Sequence, residues 1–170
     1  MRIHLGWGSN LGDRYAAWAR ARESLGCGGA RVVRESSIWR TEPVGLRDQP
    51  WFLNGAVEVE SDLTPWQLLR LAKSIEVSLG RLPGPRNAPR PLDIDILLMG
   101  ETVLRTPDLA IPHPRLHERR FALAPLAEIA PRAVHPVFKL TVRELLRRCP
   151  DTSEARSVGR AESDGNPPRR

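Results

Sequence analysis

The sequence predicts an α+β domain with a ferredoxin-like βαββαβ core, to which C-terminal helices and long loops are added. Three observations support this prediction. Several segments alternate apolar and polar residues, which is the pattern of a strand with one buried face. Two segments place apolar residues at helical spacing between turn signals. The two kinds of segment follow each other in the order strand, helix, strand, strand, helix, strand.

The first half of the chain supplies three strands and one helix. "RIHLGW" alternates Ile3, Leu5 and Trp7 with small or polar residues, so it predicts the first strand. The turn "GSNLGD" and a helix over residues 13–25 follow, and "GCGG" ends that helix. "ARVVRESSIWRTEP" predicts one continuous second strand, and "FLNGAVEVES" predicts a third.

The second half begins with the clearest helix of the chain. Thr64 is a suitable N-cap, and Pro65 stands in the first turn, where its missing N–H costs nothing. The loop "RLPGPRNAPRP" then leads into a fourth strand, "LDIDILLM". A short strand at residues 102–104 and helices at residues 121–129 and 142–148 complete the chain. We expect the helices on one face of the sheet and a ligand on the other.

One domain is expected to occupy residues 1–150, because 170 residues suffice for one core but not for two. Residues 151–170 have almost no apolar content and predict a disordered tail. No apolar run approaches the roughly 20 residues that span a membrane, and the N-terminus lacks a signal peptide, so we expect a cytoplasmic protein. Cys27 and Cys149 lack metal-ligand spacing and are expected to be reduced thiols.

Positive charge is the main compositional signal. The formal net charge is +6, almost wholly from arginine, which favours a polyanionic partner: a nucleic acid or a phosphorylated small molecule. Three arginines, Arg81, Arg86 and Arg90, lie in the loop that enters the fourth strand. Guanidinium groups bind phosphate oxygens through paired hydrogen bonds, so this loop predicts contact with phosphates.

Asp93 and Asp95 interrupt the apolar strand that follows this loop. Because side chains alternate along a strand, both carboxylates lie on one face, with Cα atoms roughly 6.5 Å apart. Carboxylates this close repel each other unless a cation lies between them, and Mg²⁺ is commonly held by one or two carboxylates plus substrate phosphates. The alternative is a solvated face, with the pair bound to Arg86 or Arg90. The side chains expected on the opposite, core-facing side are Leu92, Ile94, Ile96 and Leu98.

The stretch "RNAPRPLDIDIL" closely resembles the signature of hydroxymethyldihydropterin pyrophosphokinases, enzymes of the folate pathway. Four further motifs stand in that family's order: "GSNLGDR", "RTEPVG", "DQPWFLN" and "IPHPRLHERRFALAPLAEIAP". The resemblance spans about residues 3–148, and five motifs in register make it specific. It implies a ferredoxin-like fold with catalytic loops, and transfer of pyrophosphate from ATP to 6-hydroxymethyl-7,8-dihydropterin with release of AMP.

The resemblance also implies roles for individual residues. Asp93 and Asp95 match the ligands of two Mg²⁺ ions, and Arg81 and Arg90 match loop arginines that stabilise charge on the phosphates of ATP. Further positions that match the ATP site are Lys73, Glu76, Ile96, His113 and Arg119. Positions that match the pterin site are Thr41, Val44, Gly45, Phe52, Asn54 and Phe121.

Within the implied pterin site, Phe52 and Phe121 resemble an aromatic pair that sandwiches the ring, and Asn54 resembles the amide that reads its edge. This arrangement is physically sound, because a flat heterocycle is well held between two aromatic faces while a buried amide sets its orientation. Asn87 differs from the family pattern, in which an aromatic residue is frequent at that position of the loop.

Two other functions stay open on the sequence alone. A basic ferredoxin-like sheet could bind single-stranded RNA, but such a module needs aromatic residues on its central strands, where this chain has two acids. A metal-dependent nuclease or phosphohydrolase could use the same Asp pair, although more acidic ligands are usual there. No apolar stripe is left over for association. We therefore expect a monomer that acts on small molecules, without nucleic-acid or membrane partners.

Overall fold

The computed structural model describes residues 1–85 and 88–160 of the chain. The strands are β1 (Arg2–Ser9), β2 (Ala30–Glu35), β3 (Ile38–Thr41), β4 (Phe52–Ser61), β5 (Asp93–Met99), β6 (Leu104–Arg105), β7 (Ala110–Ile111) and β8 (Ala155–Gly159). The helices are α1 (Arg14–Cys27), α2 (Pro65–Ser78), α3 (Arg120–Ile129) and α4 (Val142–Arg148), with one 3₁₀ turn at Leu116–Glu118. In the described part of the chain, no helix combines the length and apolarity needed to cross a membrane.

Six of the strands form one antiparallel sheet. Its order is β5-β1-β4-β3-β8, and β2 also pairs with β4. The remaining strands, β6 and β7, pair only with each other. The arrangement of β5, β1, β4 and the β2/β3 pair, with α1 and α2 as crossovers, is that of a ferredoxin-like fold. The predicted fold class is confirmed.

The predicted second strand is divided into β2 and β3, which follow one another along the same edge of β4. The division falls at Ser36, whose N–H donates to the Ala56 carbonyl at 2.9 Å. The Ser36 hydroxyl in turn accepts the Ala56 N–H at 2.9 Å. A side-chain oxygen thus takes the place of a backbone carbonyl, as serine can do, and the strand bends. The prediction of one continuous strand was wrong for this reason.

The first face of the sheet carries α1 and α2 over the main apolar core. The rings of Trp7 and Trp18 stack there with centroids 4.6 Å apart. α2 begins as predicted, because the Thr64 side chain accepts the Gln67 N–H and the Gln67 side chain accepts the Thr64 N–H, which is a capping box. Pro65 occupies the first turn of that helix.

The second face is only half open, because α3 and α4 pack against the rest of it. A bulge in β5 pairs Ile96 with Leu5 but Leu98 with His4 of β1. As a result Leu97 and Leu98 both pack in the cluster beneath α3 and α4. The expectation that Leu98 shares a face with Ile96 was therefore wrong, as was the expectation that the helices all lie on one face of the sheet.

The C-terminal segment differs from the predicted disordered tail. β8 pairs with β3 from Thr41 opposite Ala155 to Ile38 opposite Gly159. An edge strand is held by backbone hydrogen bonds and can form with little apolar side-chain content, so composition did not reveal it. The sheet thus extends beyond the predicted boundary at residue 150. The rest of the predicted tail, residues 161–170, lies outside the described residues.

Candidate active site

A cleft of about 1180 Å³ lies over the open half of the second face. The glycines of β1, the start of β4 and the acidic start of β5 line its floor. Its walls come from the β3–β4 loop, the loop that precedes β5, and the segment that leads into α3. A cavity of this size is large enough for two small-molecule ligands side by side.

Asp93 and Asp95 lie on the floor of this cleft, on one face of β5. Asp93 stands opposite Gly8 of β1, and Asp95 stands opposite Gly6. Since the glycines carry no side chains, nothing from β1 rises beside the two carboxylates. The placement on one face follows from the alternation of the strand.

Asp93 is the neutralised member of the pair. Its Oδ1 accepts a hydrogen bond from Arg81 Nη1, and its Oδ2 accepts one from Arg90 Nη1 at 2.7 Å. Burial on its own would raise the pKa of Asp93, but the guanidinium groups of Arg81 and Arg90 hold it below its ordinary value. Asp93 is therefore ionised at neutral pH, and both loop arginines point into the cleft.

Asp95 lacks this compensation. The Arg119 guanidinium lies 3.7 Å from its Oδ2 through Nη1, and Nε2 of His113 lies 4.0 Å from the same oxygen. Within residues 1–85 and 88–160, no hydrogen bond reaches its carboxylate. Burial and the adjacent charge of Asp93 raise the pKa of Asp95 to about 6, against the opposing effect of Arg119.

His113 is held neutral beside Asp95. Burial and the charge of Arg119 lower the pKa of His113 to about 4. Its Nδ1 accepts the N–H of Arg115 at 3.1 Å, and its Nε2 lies 3.3 Å from Nη1 of Arg119, a group that can only donate. Both nitrogens of the neutral ring therefore face N–H donors, and the ring lines the cleft with Nε2 at 4.0 Å from the Asp95 carboxylate.

Glu76 acts from behind the cleft and does not line it. Its side chain is 1% exposed, and its Oε1 accepts the backbone N–H of Ile94 at 2.8 Å. Its Oε2 accepts from Arg81 Nη1 at 2.7 Å and from Lys73 Nζ at 3.1 Å. Lys73 itself does line the cleft. The resemblance implied that Glu76 contacts ATP; in the structure it ties α2 to β5 and holds Arg81.

The opposite end of the cleft is apolar and aromatic. Phe52, Phe121 and Val44 all line it, and the Arg119 guanidinium lies 5.6 Å from the centroid of the Phe121 ring. The structure thus brings the two phenylalanines into one cavity, with the arginine between the aromatic end and the acidic end. Such a site can hold a flat ring at one end and an anion at the other.

Asn54 lies two positions after Phe52 on β4 and shares its face of the strand, and it is 5% exposed. Its Nδ2 donates to Oγ1 of Thr41, which is its diagonal neighbour on β3. One N–H and the carbonyl oxygen of the amide remain for other partners. The side-chain hydroxyl of Thr41 therefore sets the orientation of this amide.

Gly8 is a position of the cleft floor that the sequence pattern did not reveal. A Cβ at Gly8 would lie 2.6 Å from Asn54 Oδ1 and 3.7 Å from Phe52 Cδ1. Only glycine leaves room for the Asn54 amide beside β1. The available signal was the glycine at every second position of "LGWGS", since these glycines must share a face.

The long-range hydrogen bonds of Asn10 are a second feature that the sequence pattern did not reveal, because "GSNLGD" predicts only a turn. Its Nδ2 donates to Gln49 Oε1 at 2.8 Å and to the Pro50 carbonyl at 3.0 Å, while its Oδ1 accepts the Arg90 N–H at 2.9 Å. This buried amide therefore ties the β3–β4 loop to the loop before β5 that carries Arg81 and Arg90, which we call the arginine loop. Its position in a turn concealed three long-range partners.

Besides Glu76, two of the predicted positions are not brought into the cleft. The side chain of Ile96 packs in the main core, because it alternates with Asp95 along β5. Gly45 lies in the exposed part of the β3–β4 loop, with φ of 85°. Arg86, the alternative partner of the carboxylates, and Asn87, which differs from the family pattern, lie outside the described residues.

The donor set of the cleft fits a hard divalent cation that also binds phosphate. Asp95 is an ionisable oxygen donor without a hydrogen bond from the described residues, next to a second carboxylate that raises its pKa. The described residues contain no group of three or more His, Cys, Asp or Glu that could hold a metal. Mg²⁺ suits such a site, because it needs only one or two carboxylates when phosphate oxygens and water complete its coordination.

Comparison with known proteins agrees with this geometry. The family profile described as 7,8-dihydro-6-hydroxymethylpterin-pyrophosphokinase (HPPK) matches residues 4–131. A protein of Methylorubrum extorquens named 2-amino-4-hydroxy-6-hydroxymethyldihydropteridine pyrophosphokinase is 46% identical over 148 residues, which are 86% of this chain and 92% of that protein. A Bacillus subtilis protein of the same name is 46% identical over 127 residues, 74% of this chain and 76% of that protein.

Solved structures give the same fold. The crystal structure of Plasmodium falciparum HPPK-DHPS wild type with pteroate superposes with a TM-score of 0.68 at 15% identity. The match covers 86% of this chain and 44% of that chain, so this chain spans less than half of the solved protein. At this level of identity the likeness supports the fold alone.

Proposed function

The chain belongs to the 7,8-dihydro-6-hydroxymethylpterin-pyrophosphokinase family, and we propose that it transfers pyrophosphate from ATP to 6-hydroxymethyl-7,8-dihydropterin in folate synthesis. The observation that carries this proposal is one cleft with two chemically distinct ends. Phe52, Phe121 and Asn54 suit a pterin, while Asp93, Asp95 and their cationic neighbours suit a triphosphate. AMP is the second product.

The reaction asks the protein mainly for positioning and charge neutralisation. The hydroxymethyl oxygen of the pterin forms a bond to the β-phosphorus of ATP, and its hydroxyl proton is released to solvent. The bond from that phosphorus to the oxygen bridging the α-phosphate breaks, and AMP leaves with the bridging oxygen. Phe52 and Phe121 would hold the pterin ring, and the Asn54 amide would fix which edge faces the acidic end.

The cationic side chains would bind the phosphates. In the proposed complex the guanidinium groups of Arg81 and Arg90 exchange from Asp93 to phosphate oxygens, which frees that carboxylate. Arg119 lies between the two ends of the cleft, where the transferred group would pass. The neutral ring of His113 lies beside both Arg119 and Asp95 and adds no charge to this end of the cleft.

We propose that two Mg²⁺ ions are the resident cofactors, with Asp93 and Asp95 as their protein ligands. When bound, the ions would neutralise the triphosphate and the charge that develops on the leaving phosphate. Asp93 and Asp95 would hold the ions at the sheet, and Arg81 and Arg90 would contact the phosphates. Lys73, at the edge of the cleft, adds a further positive charge.

We further propose that the protein acts as a cytoplasmic monomer on small molecules, without nucleic-acid or membrane partners. The open half of the sheet presents glycines and two acids, an unsuitable surface for stacking and holding RNA. Trp7, the aromatic residue of the central strand β1, is buried against Trp18. A phosphohydrolase would be expected to bring more acidic ligands to the metal than this cleft supplies.

The test is Mg²⁺-dependent release of AMP from ATP, measured with and without 6-hydroxymethyl-7,8-dihydropterin. We expect AMP and the pterin diphosphate to form in equal amounts, and only when both the pterin and Mg²⁺ are present. The Asp95→Asn variant, purified in the same way, serves as the inactive control. AMP release that does not depend on the pterin, or no AMP release under any of these conditions, would refute the proposal.

A further inference from the structure

The segment at residues 150–156, which we call the C-terminal strap, lies beyond the family match that ends at residue 131. The strap nevertheless contributes Pro150 and Asp151 to the lining of the cleft. It connects α4 to β8 and crosses the aromatic end of the cleft on the way. Its contacts reach both walls of that end.

One end of the strap holds the beginning of α3. Asp151 Oδ2 accepts the backbone N–H of Arg120 at 3.1 Å, and its Oδ1 accepts the Ser153 N–H at 2.9 Å. Arg120 is the first residue of α3, whose N-cap, Arg119, provides no side-chain hydrogen bond. The Asp151 carboxylate, 31 positions further along the chain, therefore caps the N-terminus of α3. The N–H that it accepts belongs to Arg120, which lies between the two cleft residues Arg119 and Phe121.

The other end of the strap holds the end of β3. Glu42 N–H donates to the Glu154 carbonyl at 3.1 Å, and Glu154 N–H donates to Glu42 Oε2 at 3.0 Å. Hydrogen-bonded pairs alternate along an antiparallel ladder, so Arg156 and Arg40 form the next such pair. Thr41 lies between these two tied positions.

We propose that the C-terminal strap is a positioning element for the pterin. It fixes Thr41, which orients the Asn54 amide, and it fixes the start of α3, which carries Phe121. The strap thereby sets the spacing between the two walls that would hold the ring. The inference rests on the proposed function, because it assigns the pterin, and not ATP, as the ligand that the strap serves.

Arg156→Pro tests the strap without touching the cleft. Proline removes the N–H that is paired with Arg40, whereas Arg156→Ala keeps that N–H and loses the exposed side chain with its ion pair to Glu154, a loss that the two variants share. We expect the KM for the pterin to rise about tenfold in Arg156→Pro relative to Arg156→Ala. The KM for ATP should change less than twofold, because the phosphate end lies on β5 and its loop.

A second pair of variants tests the whole strap. A chain ending at Cys149 should show at least the same rise in pterin KM, and weaker pterin binding in fluorescence titrations with a non-hydrolysable ATP analogue present. A chain ending at Arg160 should match the full-length protein. Asp151→Ala tests the α3 anchor alone and should raise the pterin KM several-fold.

The outcomes separate the two proposals. If the full-length protein fails to turn over the pterin, the proposed function is wrong. If it is active, but Arg156→Pro and Asp151→Ala keep the pterin KM of their references, the strap has no positioning role. Equal losses for pterin and ATP, or loss of the folded state in all the variants, also overturn the inference, because the segment would then be a general structural part of the domain.

Discussion

Asp95 is the residue at which the fold accepts an electrostatic cost for function. It lies in a cleft beside another carboxylate, and its pKa is raised to about 6 by burial and by Asp93. Asp93 has two guanidinium partners, whereas no hydrogen bond from the described residues reaches Asp95. A site that keeps one carboxylate without hydrogen-bond partners is prepared for a cation brought by the ligand.

Asp95→Asn should abolish turnover, with a loss of at least a hundredfold in kcat, because the amide is a poor ligand for Mg²⁺. The fold should survive, and at pH 7 the melting temperature should rise by about 3 °C. That figure corresponds to about 1 kcal/mol, discounted for the solvent that reaches the side chain. Calorimetry and AMP assays on the same preparation provide the measurements, and a lower melting temperature would contradict the electrostatic account.

The same pKa predicts how stability depends on pH. The folded-state pKa of about 6 lies above the ordinary value of 3.8, so the folded state binds the proton more tightly. The contribution of Asp95 to stability is thus fully present below pH 3.8 and is lost as the pH rises through 6. The melting-temperature difference between Asp95→Asn and the parent chain should appear at pH 7 and vanish near pH 4. A difference independent of pH would show that charge is not its cause.

The pH dependence of activity should respond to metal concentration. Mg²⁺ binds only the ionised carboxylate, so activity should fall as the pH drops below about 6 at low Mg²⁺. Raising the Mg²⁺ concentration tenfold should move this acid limb to lower pH by up to one unit, since metal and proton compete. Profiles of kcat/KM for ATP at two Mg²⁺ concentrations test this, and an acid limb that does not move would contradict it.

Gly8→Ala should damage pterin binding more than stability. The new Cβ would lie 2.6 Å from Asn54 Oδ1, and the amide can escape only by rotating away from its present position. We expect the pterin KM to rise at least tenfold, with a stability loss of about 1–2 kcal/mol. Gly26→Ala in α1 is the matched control, because a Cβ there would meet no atom within 4 Å. It should raise the free energy of unfolding by about 0.5–1 kcal/mol, since alanine favours the helix over glycine. Unchanged pterin KM in Gly8→Ala would contradict the role of the floor.

At the scale of elements, Glu76 of α2 links that helix both to β5 and to Arg81 in the loop that precedes β5. Glu76 accepts the Ile94 N–H from β5 and also holds Arg81, the first residue of the loop that the cleft uses. Burial and the charge of Asp93 raise the pKa of Glu76, while the Ile94 N–H, Lys73 and Arg81 oppose that effect. Helix, strand and loop thus share one buried carboxylate.

Glu76→Gln should loosen this link. The amide keeps an acceptor for Ile94 but presents N–H groups to Arg81 and Lys73. We expect kcat/KM for ATP to fall about tenfold and stability to fall by about 1–3 kcal/mol. Glu23→Gln, on an exposed position of α1, is the control and should change neither. If Glu76→Gln left the ATP kinetics unchanged, Arg81 would not depend on Glu76 for its position.

The elements also show which structural features a local sequence pattern can predict. Alternation and capping signals predicted β4 and α2 well, because both patterns concern neighbours along the chain. The bulge that turns Leu98 to the second face is set by pairing with β1, and the bend at Ser36 is set by Ala56 on β4. Partners on other strands decide such features, so one segment read alone does not reveal them.

At the scale of the whole molecule, the second face of the sheet is shared between packing and function. α3 and α4 cover one half of it, and the cleft occupies the other. The sequence predicted the acidic pair, the loop arginines and the fold class. It did not predict the half-covered face or the return of the chain as β8, since both depend on how distant segments meet.

The same limit applies to the candidate site. Asp93 and Asp95 could be predicted because strand alternation places them together. Asn10 and Gly8 could not, because their roles come from contacts with Arg90 and Asn54 in other parts of the chain. Residues whose function depends on long-range contacts are those that sequence patterns leave out.

The most direct test of the account is anomalous diffraction from a crystal grown with Mn²⁺, a non-hydrolysable ATP analogue and the pterin. We expect two Mn²⁺ peaks roughly 3.5–4 Å apart, bound to carboxylate oxygens of Asp93 and Asp95 and to phosphate oxygens of the nucleotide. Arg81 and Arg90 should then contact phosphate. If Asp93 still pairs with both arginines and no peak lies beside either carboxylate, the central claim is contradicted.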